Sequence, residues 1–529
     1  MKRHPNKANK GETYIWGSGI ALAAILAITV TLVGVVIANG FAVFWPARLT
    51  ELELADGSKV LGEVVQTAPG RAGQGRRLQL KIGNRDLYGL DFRWLDGAAI
   101  RHQRWPAAAV ALERQSYGPF LGYYRGLAAD PAAGWDAFTA AWERVHREAK
   151  GCAALQKRLN QLNAQAEAIR LKLLRHSYKG NPESAPAVAA LLAKDARLKA
   201  EFATVAQQHA GRLGELRGEA ATFADAGGRT KVIPLLEIVR ATHPNTMPLH
   251  AKLRFYAGKV WELLFAEPRE SNTEGGLFPA IVGTVMMVFL MSIFSFPLGV
   301  ITAVYLREYA TDGPVVRLVR IAVNNLAGIP SIVYGIFGLG FFVYGIGGSL
   351  DRLLFPERLP TPTFGTGGIL WASLTLALLT VPVVIVATEE ALSSIPDGIR
   401  AGSLALGATK LQTVVRILLP MASPGILTGF ILAMARAAGE VAPLMITGVV
   451  KLAPTLPLDG SFPFLHLNRK FMHLGFHIYD IGFQSPNVEA AKPMVFVTTF
   501  LLVLIVLVLS STAIHLRNKM KQRYTLTGF

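Results

Sequence analysis

Two oppositely charged residues, Arg436 and Glu440, stand four positions apart inside an apolar segment rich in alanine and glycine. An ionised side chain at the centre of a bilayer costs about 2.5–3.5 kcal/mol, so charge at such a place usually has a function. On a helix, residues i and i+4 share one face. The spacing therefore predicts that Arg436 and Glu440 pair with each other or line a polar path, and a purely structural ion pair is the alternative.

The chemistry of this pair suits an oxyanion. The arginine guanidinium is a planar fork of N–H donors and stays charged when it is partly buried. Glu440 could orient Arg436, or it could accept a hydrogen bond from a protonated oxyanion. A sulfate dianion has no proton to donate, so the carboxylate would repel it. These properties predict a preference for hydrogen phosphate.

A second candidate is the amphipathic stretch 389–420, which Pro396, Gly407 and Pro420 punctuate. The sequence predicts a short helix–turn–helix, with apolar residues along one side. Its basic residues are expected to face water or a partner. A soluble partner could bind such a helix in a groove, and a helix lying on the membrane surface is the alternative. The apolar residues are Leu404, Leu406, Leu411, Val414, Val415, Leu418 and Leu419, and the basic ones are Arg400, Lys410 and Arg416.

The composition places these candidates in an integral membrane protein with a large aqueous part. The 529 residues are 51% hydrophobic and 17% charged, against about 25% charged in soluble domains. A span needs about 20 mostly apolar residues. The sequence predicts six spans, at about 15–44, 279–306, 321–346, 369–388, 424–450 and 493–516.

The net charge of +18 does not indicate nucleic-acid binding, because its basic residues form no stripe with interleaved aromatics. With the N-terminus inside, the short inner segments carry fourteen Lys and Arg and the short outer loops carry six. The positive-inside rule then places both termini, 1–14 and 517–529, in the cytoplasm. The inner residues include Lys2, Arg3 and Lys7.

The long region 45–276 must then lie outside. Residues 49–100 alternate apolar and polar side chains, which predicts a small β-rich unit. The following part predicts an antiparallel helical hairpin, whose heptad seam is Leu155, Leu159, Leu162, Ala166, Ile169 and Leu173. We interpret it as a spacer, with a docking platform for a secreted partner as the alternative.

Several kinds of site are not indicated. The sequence has no P-loop and no H-E-x-x-H motif, and nothing in it calls for a cofactor. His473 and His477 with Asp480 lie in an outer loop, and we expect ordinary surface histidines there rather than metal ligands. Gly283 and Thr284 near the outer end of span 2 are expected to pack at the pore.

The loop 389–420 resembles the cytoplasmic motif of importers driven by ATP-binding cassettes, written EAA, three residues, Gly, nine residues, I-x-L-P. Gly407, Ile417, Leu419 and Pro420 match with the same spacing. The motif's Glu-Ala-Ala falls on Ala401, Gly402 and Ser403, so its acidic residue is missing and a specific salt bridge to the ATPase is in doubt. The resemblance implies a coupling helix that fits a cleft on the ATPase.

Two further strings resemble the permeases of high-affinity phosphate importers, the PstA type above all. They are Ala435–Leu444, which holds Arg436 and Glu440, and Ala327–Gly335, which holds Pro330 and Ser331. The resemblance runs from about Pro279 to the C-terminus, and the region 45–276 is an addition.

The resemblance implies an all-α polytopic membrane protein of the type I importer permease class. The residue patterns described above add a large α+β extracytoplasmic domain between spans one and two. It also implies a bacterial inner-membrane location and transport of inorganic phosphate, without catalysis by this chain. The implied partners are a PstC-like second permease, a PstB-like ATPase dimer and a PstS-like binding protein. A permease for phosphonate, sulfate or molybdate and a membrane-anchored phosphate-status sensor or scaffold are the alternatives.

Overall fold

The computed structural model describes residues 10–69, 76–182, 184–460, 464–485 and 487–525. Lys2, Arg3 and Lys7, on which part of the predicted orientation depends, lie outside these residues. Within them, the chain forms a helical membrane part and a separate α+β unit that is inserted after the first span.

The membrane part has six helices long and apolar enough to cross a bilayer, which confirms the predicted number. Span 5 begins as a short helix and passes through a π-helical turn, and a π-helical segment continues span 3. The spans are Tyr14–Ala42, Phe278–Tyr309, Ser331–Leu354, Ile369–Ser393, Lys410–Gly439 and Val488–Gln522.

Three of the predicted span boundaries are wrong by ten or more residues. Span 5 begins at Lys410 and not near residue 424. Span 3 begins at Ser331 and not near residue 321, because Pro330 holds an extended backbone that separates it from a preceding amphipathic helix, Pro314–Leu326. Span 5 ends at Gly439 and not near residue 450, because Glu440 leaves the helical conformation (φ −73°, ψ 138°).

Spans 2, 4 and 5 form the centre of the membrane part. Met287 and Met291 of span 2, Leu376 of span 4 and Ala437 and Ala438 of span 5 are fully buried in one cluster. Small residues allow this close approach: the space beside Gly429 of span 5 is filled by Ala387 of span 4.

The α+β unit contains two five-stranded antiparallel sheets, and not the single β-rich part predicted for residues 49–100. The first sheet has the order β4-β3-β2-β1-β5 and the second the order β10-β6-β7-β8-β9. Sequence alternation marked the first sheet only, because a long helical insertion separates the halves of the second. The strands are β1 Leu49–Leu54, β2 Lys59–Pro69, β3 Arg76–Lys81, β4 Phe92–Asp96, β5 Ile100–Arg104, β6 Ala109–Arg114, β7 Phe120–Leu127, β8 Ala220–Ala224, β9 Thr230–Pro234 and β10 Ile238–Thr242.

The insertion between β7 and β8 is a helical hairpin with arms Trp135–Tyr178 and Pro186–Gly218. Its base packs on the second sheet, where the Trp142 indole N–H donates to the Ile238 carbonyl at 2.7 Å. Further out, the seam residues Leu162 and Ile169 are buried against Leu198. The hairpin is thus a helical insertion in the second sheet, and its base packs on that sheet.

Short elements connect these parts. A helix at Leu249–Phe265, called the interfacial helix below, leads from β10 toward span 2 through a two-stranded ribbon, Pro268–Arg269 with Glu274–Gly275. The remaining helices are Arg85–Tyr88, Asp397–Ala405, Ala442–Thr447 and Leu474–Tyr479. π-Helical turns occur at Tyr305–Tyr309, Gly338–Gly347, Val414–Leu418 and Asp480–Gln484, and 3-10 turns at Gly97–Ala99, Leu235–Glu237, Glu270–Asn272 and Pro356–Arg358.

Candidate substrate path and coupling site

Arg436 and Glu440 form an ion pair at the C-terminal end of span 5, with 3.5 Å between Arg436 Nε and Glu440 Oε1. The prediction that they share one helix face is wrong, because the helix ends at Gly439 and Glu440 follows in extended backbone. The ion pair therefore joins the last turn of the helix to the first residue after it. Arg436 makes no hydrogen bond to any other described residue, which leaves N–H donors available.

The Arg436 side chain lies on the face of span 5 that the other described residues leave partly exposed. Its side chain is 38% exposed and that of Glu440 is 18% exposed, whereas Ala433 and Ala437 on the other face are fully buried. An arginine that faces hydrocarbon is costly, so we expect this face to border water or a second protein subunit.

The two strings that carry the phosphate-permease resemblance meet here. Gly335 of span 3 packs directly against Pro443, where a Cβ on Gly335 would lie 2.7 Å from the Pro443 Cα. Next to it, the Tyr334 hydroxyl donates to the Leu326 carbonyl at 2.6 Å. Pro330 and Ser331 lie at the N-terminal end of span 3, with Pro330 exposed and Ser331 half-buried.

Gly283 and Thr284 belong to a different place. The backbone of Met472 fills the space beside Gly283. The Thr284 hydroxyl donates to the Ala280 carbonyl at 2.7 Å and accepts from the Leu474 backbone N–H at 2.9 Å. Both residues are buried and fix the loop between spans 5 and 6 onto span 2, so their contacts are packing contacts.

The loop between spans 4 and 5 forms two short helices around Gly407. The first is Asp397–Ala405, and the second begins at Thr409 with a capping box formed with Gln412. Gly407 has a φ of +84°, a conformation that favours glycine. A hydrogen bond of 2.9 Å between the Ser403 and Thr413 hydroxyls ties the two helices together.

The apolar residues of this loop were predicted to cover a single side. In the structure they divide into two sets. Val414 and Leu418 are buried against spans 2 and 4, and Leu419 is half-buried with Ile417 and Pro420. The other set, Leu404, Leu406, Leu411 and Val415, is 48–91% exposed. Ala401 and Gly402 are exposed beside them. The loop thus presents an apolar surface that this chain does not cover.

Arg400 does not face water or a partner, which corrects the sequence-based expectation. Its guanidinium pairs with Glu308 at 3.0 Å and donates to the Leu392 and Ile395 carbonyls, each at 2.7 Å. Glu308 is 9% exposed. Because Glu308 ends span 2, Arg400 fixes the first helix of the loop to spans 2 and 4. Sequence reasoning missed Glu308, which lies 92 residues from Arg400.

His473 and His477 are buried, so the expectation of surface histidines is wrong. The His473 Nδ1 accepts from the Gly475 backbone N–H at 3.1 Å, and the His477 Nδ1 lies 3.3 Å from the Thr498 hydroxyl. Burial lowers the pKa of His473 to about 3 and that of His477 to about 4. Their Nε2 atoms have no hydrogen-bond partner in the described part of the chain.

The fold and site define an inner-membrane component of a binding-protein-dependent transport system, and residues 295–522 match the model of that family. The chain is 31% identical over 264 residues to the probable phosphate transport system permease protein PstA of Methanocaldococcus jannaschii, covering 49% of this chain and 78% of that relative. It therefore belongs to the PstA-type permeases.

Two further similarities were found. PstA of Mycobacterium leprae is 38% identical over 172 residues, which cover 32% of this chain and about half (51%) of that relative. A solved inward-facing structure of the MetNI methionine ABC transporter covers 46% of this chain and 95% of its own, with 21% identity and a TM-score of 0.34.

Proposed function

We propose that this chain is a permease subunit of an ATP-driven importer of inorganic phosphate. The observation that carries the proposal is the position of Arg436, whose guanidinium is held by Glu440 at 3.5 Å on a face of span 5 that no other part of the described chain covers. An exposed arginine with available donors inside an apolar span suits an oxyanion that crosses the membrane.

Glu440 gives this site its selectivity. A hydrogen phosphate ion can place two oxygens on the guanidinium and donate its own proton to the Glu440 carboxylate, which accepts hydrogen bonds only. Sulfate would meet the same carboxylate without a proton, and the two negative charges would repel each other. The pair therefore favours a protonated oxyanion over a fully ionised one.

A PstC-like second permease would cover the open face of span 5 and complete the path. A PstB-like ATPase dimer would hold the exposed apolar residues around Gly407, and a PstS-like protein would deliver phosphate from outside. ATP binding on the ATPase would move the coupling loop and switch the path between its two orientations. Chemistry then occurs on the partner, and this chain forms no covalent intermediate.

The chain would lie in a bacterial inner membrane with the α+β unit in the periplasm and both termini in the cytoplasm. Three contacts support one common side for this unit and the predicted outer loops. Arg175 of the hairpin pairs with Glu357, the Asn272 side-chain amide donates to the Lys451 carbonyl at 2.9 Å, and Asn487 hydrogen-bonds to Asp91.

Uptake of labelled phosphate at low micromolar concentration tests the proposal, in a host that lacks its own permease but keeps the partner subunits. We expect wild type to restore uptake and Arg436→Gln to lower it at least about tenfold at equal membrane abundance. Arg352→Gln, at an exposed arginine in the last turn of span 3, is the matched control. Restoration of sulfate or molybdate uptake instead, or no uptake by wild type, would reject the phosphate assignment.

A further inference from the structure

A cavity of about 730 Å³ lies where the α+β unit meets the outer ends of spans 1 and 6. One wall is apolar and comes from the spans, with Val43, Phe44, Met494 and Phe496. The opposite wall comes from β2, β3 and the ribbon before span 2, with Glu63, Lys81 and Glu274. A cavity with one apolar and one charged wall fits an amphiphile, and this volume is typical of ligand sites.

The position of the cavity at the ends of two spans indicates the level of the membrane–water interface. Its apolar wall combines Val43 and Phe44, directly after span 1, with Met494 and Phe496 near the start of span 6. The aromatic rings of Phe44 and Trp45 lie 6.4 and 6.3 Å from that of Tyr256 on the interfacial helix. Aromatic residues collect at this depth because their rings are amphipathic.

The interfacial helix supports the same placement. Leu249, Leu253, Trp261 and Phe265 are 53–66% exposed, and they form two pairs four residues apart, each on one side of the helix. Its residues Phe255 and Lys259 line the cavity. A helix with an exposed apolar stripe beside the ends of spans lies in the headgroup region, so the cavity opens toward lipid.

The charges of the polar wall indicate which headgroup would fit. Other lining cations already have partners: Lys259 pairs with Glu113 at 2.5 Å, and Lys492 with Glu489 at 2.7 Å. Glu63, Lys81 and Glu274 form no ion pair with a described residue. Glu63 lies directly across from Lys81 in the β2–β3 pairing. Two carboxylates and one ammonium group therefore remain.

Glu274 is the group whose charge is least well compensated. Burial raises the pKa of its carboxyl, and the nearby Lys81 only partly opposes that effect. A ligand cation placed beside this carboxylate would replace the lost solvation. An anionic headgroup would add a negative charge where carboxylates are already in excess.

We propose that this cavity binds a phospholipid with an ethanolamine headgroup from the outer leaflet. The ammonium group lies between the Glu63 and Glu274 carboxylates, the phosphate meets Lys81, and the acyl chains follow the apolar ends of spans 1 and 6. The bound lipid fills the space between the α+β unit and the membrane part and so holds the two together.

Native mass spectrometry of the full chain, purified in a mild detergent and incubated with phosphatidylethanolamine or phosphatidylglycerol, tests the proposal. We expect wild type to retain one phosphatidylethanolamine and at least tenfold less phosphatidylglycerol. The double variant Glu63→Gln, Glu274→Gln is expected to lose this preference. Glu53→Gln, at a half-exposed residue on β1 outside the cavity lining, is the matched control.

A photoactivatable phosphatidylethanolamine locates the lipid independently of the variants. The proposal expects cross-links to residues 42–45 and 492–496 of wild type. Equal retention of both lipids, unchanged retention by the double variant, or cross-links spread over all spans would overturn it. An unchanged thermal melting curve shows that the double variant folds.

Discussion

Arg175, near the end of one hairpin arm, lies 2.6 Å from Glu357 in the loop between spans 3 and 4, although 182 residues separate them. The Glu357 side chain is only 6% exposed, while that of Arg175 is 55% exposed. The hairpin therefore reaches back to the membrane part and does not extend freely into solution.

This contact predicts a local effect of Arg175→Gln. Hydrogen exchange of residues 355–358 should become faster, because the loop loses its ionic contact with the hairpin. The effect on global stability should be small, because Arg175 is more than half exposed and solvent screens its charge. Arg170→Gln is the control, because Arg170 pairs with Glu167 on its own helix. Equal exchange in both variants would mean that the hairpin does not hold the loop.

Replacing Glu440 by glutamine should alter selectivity more than uptake itself. The neutral amide removes the charge that repels sulfate and can still orient Arg436 by a hydrogen bond. We expect competition of sulfate against phosphate uptake to rise several-fold in Glu440→Gln. Arg436→Lys should lower uptake of phosphate, since a lysine lacks the planar fork. Unchanged competition in Glu440→Gln would show that the carboxylate acts only as a structural partner of Arg436.

The Arg400–Glu308 pair should be required for coupling. Arg400→Gln breaks a largely buried ion pair and leaves the Glu308 charge uncompensated, at a cost of about 3 kcal/mol. We expect uptake to fall at least tenfold while ATP hydrolysis by the assembled transporter persists. Arg317→Gln, at an exposed arginine of the helix Pro314–Leu326, should retain both. A variant that loses ATPase binding altogether would show that Arg400 acts on docking and not on coupling.

Gly407 should tolerate only residues that accept a positive φ. Its φ is +84°, and no atom lies within 4 Å of where a Cβ would stand, so the cost of Gly407→Ala is backbone strain of about 1–2 kcal/mol. We expect reduced recovery of the ATPase with the permease, and partial rescue by Gly407→Asn. Gly402→Ala is the control, because Gly402 is helical with the same open space. Normal ATPase recovery with Gly407→Ala would contradict the prediction.

His473 and His477 should make the loop between spans 5 and 6 sensitive to acid. Burial lowers their pKa values to about 3 and about 4, below the unfolded value of about 6.5. Between pH 6.5 and 4 the unfolded chain binds protons that the folded chain does not, so stability falls with pH by up to about 1.4 kcal/mol per unit for each histidine.

Thermal melting at pH 7.5 and pH 5 measures this effect. The loss on acidification should be smaller in His477→Gln than in wild type, and unchanged in His250→Gln, where the histidine is exposed. An equal loss in all three proteins would place the acid-sensitive groups elsewhere.

The sequence by itself determined the features that depend on neighbouring residues. Six apolar segments are local properties of composition, and the spacing from Gly407 to Pro420 sets a turn between two short helices. The charged pair Arg436 and Glu440 could also be found this way, because intramembrane charge is costly wherever it occurs.

Only the tertiary structure decided how these features meet. Span 5 ends at Gly439, so Glu440 reaches Arg436 around a helix terminus. Arg400 turns inward because Glu308, from a distant span, provides the opposite charge. His473 and His477 are buried because spans 2 and 6 close over their loop. Burial and ion pairing depend on residues far apart in the chain, which local sequence patterns do not bring together.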